Sequence, residues 1–184
     1  MPVTWSRIAR RIRVPLGFVF AALYLWLAHP TPVFMALSLL LVIPGIWLRA
    51  YASGYVQKNV ELTMTGPYAH TRNPLYLGSM LIAFGFALAS RSLWITFALA
   101  VLFALIYVPV IRSEEAFLRS KFAGFDAYTA RVPRLLPRLT PAPNDSRDSG
   151  SFSPDLYKKH REYNALIGAV AIYAALALRI YFRG

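Results

Sequence analysis

Residues 74–111 read PLYLGSMLIAFGFALASRSLWITFALAVLFALIYVPVI, and this stretch decides the fold class. It holds two long apolar runs with only Ser90, Arg91 and Ser92 between them. Runs of this composition are typical of helices that cross a bilayer. Because the connection is so short, the two helices must pack as an antiparallel hairpin. The polar residues that flank the hairpin therefore meet at one membrane face.

Three further apolar runs extend this pattern over the rest of the chain. Pro44 lies inside one of them and predicts a kink, which a membrane helix tolerates because neighbouring groups satisfy the freed carbonyl. Arg179 interrupts the last run and shortens that predicted span. We therefore predict an all-α integral membrane protein with about five transmembrane helices. The predicted spans are residues 14–29, 33–50, 74–89, 93–111 and 164–182.

Composition excludes several classes of function. The 184 residues are 57% hydrophobic and carry a net charge of +12. In so apolar a chain, basic residues are better explained as flanks of membrane spans than as a nucleic-acid-binding surface. The chain has no cysteine, which excludes disulfides and thiolate chemistry, and its three scattered histidines are too few for a histidine-rich metal centre. We predict neither a bound metal nor a nucleic-acid partner.

The basic residues also predict how the chain is oriented in the membrane. They concentrate before the first run, after the second and after the fourth, whereas Arg91, Arg179 and Arg183 fall on the other side. Because positive charge favours the cytoplasm, we expect a cytoplasmic N-terminus and a C-terminus on the opposite side. None of the eight acidic residues lies within a predicted span. That distribution argues against a proton- or sodium-coupled transporter.

The chain divides into three predicted parts. Residues 1–142 form a core of four spans with a cytoplasmic amphipathic segment, and residues 164–184 form a C-terminal helix. Residues 143–163 between them are expected to be a linker with a basic segment. Residues 144–154 are rich in serine and contain no large aliphatic residue, so this part is predicted to be flexible and to detach the fifth helix from the rest.

The first polar cluster lies between Thr65 and Gly78. Asn73 before Pro74 predicts an N-cap residue followed by proline at the first helical position. A helix that starts there presents free backbone N–H groups and the positive end of its dipole, with Arg72 adjacent. This arrangement suits a ligand carboxylate or phosphate. An ordinary interfacial helix start with a snorkelling arginine is the alternative.

The second polar cluster begins at Arg112, at the end of the fourth span. Glu114 and Glu115 are adjacent carboxylates that repel each other at a membrane interface, and a bound cation would relieve that repulsion. A solvated helix end is the alternative interpretation. Three apolar residues then recur at near-helical spacing and predict an amphipathic helix lying on the bilayer. They are Phe117, Leu118 and Phe122.

Together the two clusters resemble the isoprenylcysteine carboxyl methyltransferase family and its relatives, the phospholipid N-methyltransferases. The resemblance runs from about Ser53 to Pro137 and joins two motifs at the expected separation. Its residues are Gly66-Pro67-Tyr68, Arg72-Asn73-Pro74-Leu75-Tyr76, Gly78, Glu114-Glu115, Leu118, Phe122, Tyr128 and Val132-Pro133-Arg134. The family implies a helical membrane fold that binds S-adenosylmethionine on the cytoplasmic side and methylates lipid-like acceptors.

The resemblance also implies a set of cofactor contacts. They are Val60, Glu61, Leu62, Thr63, Tyr68, Asn73, Pro74, Leu75, Tyr76 and Glu114. Arg72 joins them because a guanidinium suits the cofactor carboxylate. Asn73 stands where many relatives have histidine, so a role that needs an imidazole is not available here, although the amide can still donate a hydrogen bond.

Two residues are the candidate catalytic groups. Arg112 approximates the acceptor-side arginine of the family, which falls where this chain has Val110. Glu115 is the nearest base if an amine acceptor must lose a proton, whereas a carboxylate acceptor needs no base. Ala123 replaces a usual glycine and Phe125 falls where tyrosine is common, so the departures from the family pattern concentrate in the amphipathic segment.

The charges of S-adenosylmethionine match the two clusters. Its carboxylate suits the helix start beside Arg72, its ammonium suits Glu114, and its sulfonium suits the aromatic faces of Tyr68 and Tyr76. The acceptor is expected to be lipid-like or prenylated and to reach the site from the bilayer along Phe117, Leu118, Phe122 and Phe125. Isoprenylcysteine-type carboxyl O-methylation is the first expectation, with phospholipid N-methylation or thiol S-methylation as alternatives. A nicotinamide-dependent reductase of the sterol-reductase type and a non-enzymatic membrane scaffold are the remaining alternatives.

Overall fold

The computed structural model describes residues 15, 18–19, 21–57, 60–143 and 150–183, and within them the chain is helical with no strands. The all-α prediction is confirmed. A 3-10 turn, Gly66–Ala69, precedes the third helix. The helices, numbered in chain order, are α1 (21–27), α2 (Pro32–Ser53), α3 (Pro74–Ser90), α4 (Leu93–Lys121), α5 (Phe125–Arg131), α6 (Pro154–His160) and α7 (Tyr163–Arg183).

Fewer helices than predicted are long enough to cross a membrane. Among the described residues, α2, α4 and α7 qualify by length and composition, which gives about three candidate spans instead of the expected five. Helix α3 has 17 residues and is about 26 Å long, which is less than the hydrocarbon thickness of a bilayer. The predicted first span lies only partly within the described residues, as α1.

Helices α2 and α3 form the centre of the bundle because glycines let their backbones touch. A Cβ atom on Gly45 would lie 2.8 Å from the carbonyl oxygen of Gly78 and 2.8 Å from a side-chain carbon of Ile82. One on Gly85 would lie 2.5 Å from the side chain of Val42. Small residues at these positions therefore determine how closely the two helices approach. Helix α2 runs unbroken through Pro44.

Two turns close the end of the bundle that is remote from the polar clusters. The backbone N–H of His29 in the α1–α2 connection donates to the carbonyl of Ser90 at the end of α3 over 2.9 Å. Arg91 then turns the chain in the left-handed conformation, with φ of 54°, and lies over the ring of Phe34. The tight hairpin of α3 and α4 is thus as expected from the short connection.

Helix α7 runs along the bundle from one end to the other. Near its middle, the Tyr173 hydroxyl is hydrogen-bonded to Ser38 of α2 at 2.6 Å. Near its end, Arg179 donates to the carbonyl of Leu25 and, over 2.7 Å, to that of Trp26 in α1. With 21 residues, α7 is about 32 Å long, which is enough to cross the hydrocarbon layer. Arg179, which interrupts the last apolar run of the sequence, thus binds carbonyl groups at the end of α1, and α7 continues past it.

The amphipathic segment after the fourth span is part of α4 itself. The helix continues to Lys121 rather than ending near residue 111, so Phe117 and Leu118 are helical as expected but belong to α4 and not to a separate helix on the bilayer surface. A π-helical stretch, Phe103–Tyr107, interrupts the α-helical pattern just before Pro109. Proline cannot donate a backbone hydrogen bond, so the helix widens there instead of breaking.

The described part of the predicted linker after residue 149 packs onto the end of α2, so it does not detach the C-terminal helix from the bundle. The Ser153 N–H donates to the Gly54 carbonyl over 2.9 Å, and the His160 imidazole is hydrogen-bonded to the Ser53 carbonyl at 3.1 Å. Phe152 stacks on Tyr51. The expectation of a detached fifth helix is therefore wrong. Residues 144–149 of the predicted linker lie outside the described residues.

Candidate active site

Two chain segments run side by side at the polar end of the bundle and bring the two motifs together. Residues 66–73 lie along residues 132–142. The Arg72 N–H donates to the Pro133 carbonyl, the Arg138 N–H to the His70 carbonyl and the Ala142 N–H to the Ala69 carbonyl, each over 2.9 Å. Backbone hydrogen bonds satisfy the polar groups of these loops and hold them in register. The motif before α3 and the motif after α4 are thus one structure.

An apolar cluster packs next to these two segments. Phe125, Tyr128, Val132 and Ala142 form its buried centre, and the Tyr128 hydroxyl donates to the Tyr68 carbonyl over 2.8 Å. Leu118 packs against the same cluster, and Phe125 is only 1% exposed. Phe125 and Leu118 therefore do not form the open apolar surface that was expected to guide an acceptor. Their burial instead stabilises the loops of the site.

Glu115 lies at the centre of an ion-pair network. It is 8% exposed, and its carboxylate accepts from Arg134 at 2.7, 3.0 and 3.1 Å. A guanidinium nitrogen of Arg72 lies 3.4 Å from the Oε1 atom of Glu115. The hydrogen bond with Glu115 raises the pKa of the Arg134 guanidinium. Both carboxylate oxygens are thus engaged, which favours a structural role for Glu115 over the expected role as a base.

Glu114 is placed quite differently from its neighbour. It is exposed, and the hydroxyl of Tyr76 in the first turn of α3 donates to its Oε1 atom over 2.9 Å. The Tyr76 ring meets the Tyr107 ring edge-on at 5.5 Å, and Tyr107 stacks on Phe103 at 4.7 Å. An accessible carboxylate therefore lies at one end of a strip of aromatic rings, which we call the aromatic strip: Tyr76, Tyr107 and Phe103.

The start of α3 follows the sequence prediction in position but not in side-chain bonding. Asn73 is the N-cap residue and Pro74 occupies the first turn. The Asn73 side chain makes no cap bond and instead donates to the Arg134 carbonyl over 2.9 Å. Leu75 and Tyr76 follow Pro74, and their backbone N–H groups belong to the first turn, where no intrahelical acceptor exists.

Tyr68 is buried in the 3-10 turn that precedes α3. Burial raises the pKa of its hydroxyl, and the nearby carboxylates of Glu162 and Glu114 raise it further while Arg49 lowers it. These three charged residues are therefore close enough to influence one tyrosine. The Tyr68 hydroxyl stays protonated and can act as a hydrogen-bond donor across the physiological range of pH.

Residues 60–63, ahead of the first motif, differ in their exposure to solvent. Val60 and Glu61 are exposed on a turn in which both backbone N–H groups donate to the Gln57 carbonyl. Leu62 packs against the apolar cluster, whereas the Thr63 hydroxyl is buried and without a hydrogen-bond partner among the described residues. The structure thus brings Leu62 and Thr63 to the loops of the site and leaves Val60 and Glu61 at the surface.

Arg112 stays outside the ion-pair network. It is exposed on α4, and the described residues give it no carboxylate partner. Another arginine, which was not expected in the site, is partly buried there instead. Arg49 of α2 is paired with Glu162, just before α7, at 2.8 Å. An arginine inside an apolar run, next to its last residue, is the sequence signal that could have found it, because ionisable residues within spans are rare and usually functional.

Two buried polar atoms lack partners in this region, which is the condition expected of a site built to receive a polar ligand. They are the Thr63 hydroxyl oxygen and the Nε of Arg72. An unpaired buried donor or acceptor costs about 1–3 kcal/mol, so it is rarely retained without a use. Together with the accessible carboxylate of Glu114, they provide an anion-binding and a cation-binding group. The residues present therefore fit a ligand that carries both charges.

Comparison with known proteins identifies the family of this chain. The family model described as phospholipid methyltransferase matches residues 31–124, which is slightly more than half of the chain. The chain belongs to this family. It is therefore a member of a family of membrane methyltransferases, and the matched range includes α2, α3, α4 and both glutamates. Membership of the narrower isoprenylcysteine carboxyl methyltransferase group stays a prediction.

Two curated relatives match part of this chain. The cobalt-zinc-cadmium resistance protein CzcN of Cupriavidus metallidurans is 36% identical over 140 residues, or 70% of this chain and 62% of the relative. The nickel-cobalt-cadmium resistance protein NccN of Alcaligenes xylosoxydans xylosoxydans is 40% identical over 95 residues, or 52% of this chain and 44% of the relative. The chain thus spans about half to three fifths of the length of these relatives. No solved structure matches it.

Proposed function

We propose that this phospholipid methyltransferase family member uses S-adenosylmethionine to methylate a lipid-like acceptor at the membrane face. Isoprenylcysteine-type carboxyl O-methylation is the first candidate reaction, with phospholipid N-methylation or thiol S-methylation as the alternatives. The observation that carries the proposal is the accessible carboxylate of Glu114, held by Tyr76 beside the start of α3. An S-adenosylmethionine site needs such a group for the ligand ammonium.

The residues around Glu114 match the remaining charges of the cofactor. The unpartnered Nε of Arg72 and the first-turn N–H groups of α3 suit its carboxylate. The ring of Tyr76 suits a sulfonium by cation–π contact. The Thr63 hydroxyl and the protonated hydroxyl of Tyr68 are available for its polar groups. When bound, the cofactor supplies the activated methyl group that is transferred.

The other expected cofactor contacts have weaker support or a different role. Pro74 is buried and sets the start of α3, and Asn73 fixes the loop by its bond to Arg134. Leu62 belongs to the apolar support, and exposed Val60 and Glu61 can contact a cofactor only at its outer edge. Positioning of the two reactants can supply up to about 7–11 kcal/mol of the barrier reduction, so such supporting residues matter to the rate.

Glu115 and Arg112 take different parts in the proposed reaction. Because its carboxylate is held by two arginines, Glu115 maintains the geometry of the loops and does not accept the proton of an amine. This favours an acceptor that is already ionised, such as a carboxylate, which needs no base. Arg112 is exposed near the end of the bundle and is suited to hold such an anionic acceptor.

The aromatic strip supports an apolar acceptor. Phe103, Tyr107 and Tyr76 lead along α4 and α3 from the apolar middle of the helices to Glu114. This route replaces the expected one along Phe117, Leu118, Phe122 and Phe125, because Phe125 is buried and Leu118 packs inside. Each methylene that leaves water contributes about 0.8 kcal/mol, so a long hydrocarbon chain would strengthen acceptor binding considerably.

Binding of S-adenosylhomocysteine to the detergent-purified protein tests the cofactor proposal. We expect wild-type protein to bind and Glu114→Gln to lose binding, because that variant removes the charge matched to the ligand ammonium. Asp126→Asn is the matched control, since Asp126 is an exposed carboxylate that is not among the expected cofactor contacts, and it should retain the wild-type affinity. Isothermal titration calorimetry measures all three. Equal binding by wild type and Glu114→Gln would refute the assignment of Glu114.

A series of acceptors that differ only in hydrocarbon length tests the acceptor proposal. With the protein in bilayers and a labelled methyl donor, turnover should rise with chain length while the affinity for S-adenosylhomocysteine stays constant. Tyr107→Ser should reduce the dependence on chain length because it interrupts the aromatic strip. Turnover that is independent of chain length would instead indicate a compact acceptor and would leave the cofactor proposal intact.

A contribution to metal resistance is the second candidate function. It is suggested by the names of the two relatives, both of which include cobalt and cadmium. The test is growth in cobalt or cadmium of cells that express the wild-type chain or Glu114→Gln. Tolerance that depends on Glu114 would connect resistance to the methyl-transfer site, and equal tolerance with both chains would separate the two.

A further inference from the structure

Arg49 connects three parts of the molecule at the candidate site. Its guanidinium donates to both carboxylate oxygens of Glu162 over 2.8–3.0 Å. One of its nitrogens also donates to the carbonyl of Leu75 at 3.2 Å and to the hydroxyl of Ser79. Leu75 and Ser79 lie one turn apart at the start of α3. Arg49 therefore holds the first turns of α3 against α2.

Glu162 determines how Arg49 is oriented. Its side chain is 12% exposed and that of Arg49 is 24% exposed, so the pair is largely shielded from water. The two-point geometry of a guanidinium and a carboxylate restricts the rotation of both side chains. Without this partner, the long arginine side chain would be free to turn toward water and leave α3.

The backbone just before Glu162 is in an unfavourable conformation. Arg161 has a φ of 54°, which is the left-handed region that residues with a Cβ atom rarely adopt. Such a conformation persists only where surrounding contacts over-determine it. Here it ends α6, starts the turn into α7 and directs the chain so that Glu162 reaches Arg49. The Asn164 N–H closes this turn by donating to the Arg161 carbonyl over 3.0 Å.

We propose that Glu162 is a positioning residue of the methyltransferase site, which acts through Arg49 to hold the first turn of α3 where Tyr76 meets Glu114. This inference rests on the proposed function. Glu162 lies outside the family-matched range of residues 31–124, so the C-terminal part of the chain completes a site that the family core supplies only in part. We call the pair of Arg49 and Glu162 the C-terminal brace.

The surroundings of Tyr68 support this placement. The charges of Glu162, Arg49 and Glu114 all influence its hydroxyl, so the C-terminal brace and the exposed glutamate lie around the same buried side chain. A brace at the periphery of the bundle would not have this effect. The pair therefore belongs to the region in which the ligand is proposed to bind.

Variants of the brace test the inference in the full-length protein. Glu162→Gln keeps the size of the side chain and removes its charge, and Arg49→Lys keeps the charge and removes the fork geometry. We expect either change to weaken S-adenosylhomocysteine binding by about tenfold or more, which is the scale of one hydrogen bond to a charged group. Glu162→Asp, which retains the charge, should bind better than Glu162→Gln.

Hydrogen exchange supplies a measurement that needs no ligand. In Glu162→Gln, the amides of residues 77–81 in the first turns of α3 should exchange faster than in wild type, whereas those of residues 86–90 at its far end should not. Asp126→Asn is the matched control, because it breaks an exposed ion pair with Arg119 that joins α4 to α5 and does not involve α3. It should change neither binding nor exchange.

The outcomes distinguish this inference from the proposed function. The inference would be overturned, and the proposed function left standing, if the wild type binds S-adenosylhomocysteine and both brace variants show the same binding and the same hydrogen exchange as the wild type. Faster exchange along all of α3 would also overturn it, because the brace would then contribute only general stability. If wild type does not bind S-adenosylhomocysteine, the proposed function fails, and the local change in exchange still decides whether Glu162 positions α3.

Discussion

At the residue scale, the adjacent Glu114 and Glu115 have different surroundings. Glu114 and Glu115 are neighbours in sequence, but the helix points them about 100° apart. Glu115 turns inward to Arg72 and Arg134, and Glu114 turns outward to the Tyr76 hydroxyl. The repulsion expected between two neighbouring carboxylates is relieved for Glu115 by the two guanidinium groups. That leaves Glu114 available for a ligand.

The Tyr76 hydroxyl provides a prediction at this scale. Tyr76→Phe removes the donor that orients Glu114 but keeps the ring and its contact with Tyr107. We expect the affinity for S-adenosylhomocysteine to fall by a factor of about 5 to 20, since a hydrogen bond to a charged group contributes about 1.5–3 kcal/mol and water can replace part of it here. Calorimetry on the purified variant measures the loss.

A second tyrosine serves as the control for that measurement. Tyr181 is 79% exposed near the end of α7, remote from Glu114, and Tyr181→Phe should bind as wild type does. If Tyr76→Phe also bound as wild type does, the orientation of Glu114 by Tyr76 would have no part in ligand binding.

Close backbone contact between α2 and α3 dominates at the element scale. Gly45 and Gly78 face each other, and Arg49 of the C-terminal brace passes beside Gly78. The position of α3, and with it Tyr76, therefore depends on glycines inside two apolar helices, Gly45 in α2 and Gly78 near the start of α3. Glycine usually weakens a helix by about 0.5–1 kcal/mol, so the packing must compensate for that cost.

Adding a methyl group at this contact provides the prediction. Gly45→Ala would place a Cβ atom 2.8 Å from the carbonyl oxygen of Gly78, which is backbone and cannot move aside. We expect the free energy of unfolding to fall by about 1–3 kcal/mol, as in other overpacked interiors. Thermal unfolding in detergent, followed by circular dichroism, measures the change.

Gly168 in α7 is the matched control for Gly45. No atom lies within 4 Å of the position that its Cβ would occupy, so Gly168→Ala should be neutral or slightly stabilising. Helix propensity favours alanine at both positions, so an equal change in stability from the two substitutions would show that the α2–α3 contact at Gly45 is not tightly packed.

At the scale of the whole molecule, the described helices give the bundle two different ends. One end has the ion-paired loops around Glu115 and the C-terminal brace. The other has the α1–α2 connection and the turn at Arg91, joined by the hydrogen bond from His29 to Ser90. Because basic residues surround the first end, we propose that it faces the cytoplasm.

Cysteine labelling tests this orientation in a chain that has no cysteine of its own. Leu139, which is fully exposed at the end with the ion-paired loops, and His29 at the other end provide the two sites. A membrane-impermeant thiol reagent should label Leu139→Cys only from the cytoplasmic side and His29→Cys only from the opposite side. Reversed labelling would invert the proposed topology, and labelling of both from one side would contradict the bundle.

The sequence by itself determined the fold class and the meeting of the two motifs. Apolar runs of sufficient length can satisfy their backbone groups in a membrane only as helices, and a three-residue connection allows only a hairpin. Asn73 and Pro74 likewise marked the start of α3, because N-cap and first-turn preferences are local properties of the chain. These features depend on neighbours along the chain, and for that reason they were predictable.

The tertiary structure alone decided the surroundings of the two glutamates and the contacts of the C-terminal segment. The ion pair between Arg49 and Glu162 joins residues that are 113 positions apart, and the one between Glu115 and Arg134 depends on how the loop after α5 returns to α3. No periodicity or spacing encodes such contacts, because they arise from the path of the whole chain. The environment of each charge, and therefore its chemical role, is determined only when the bundle is complete.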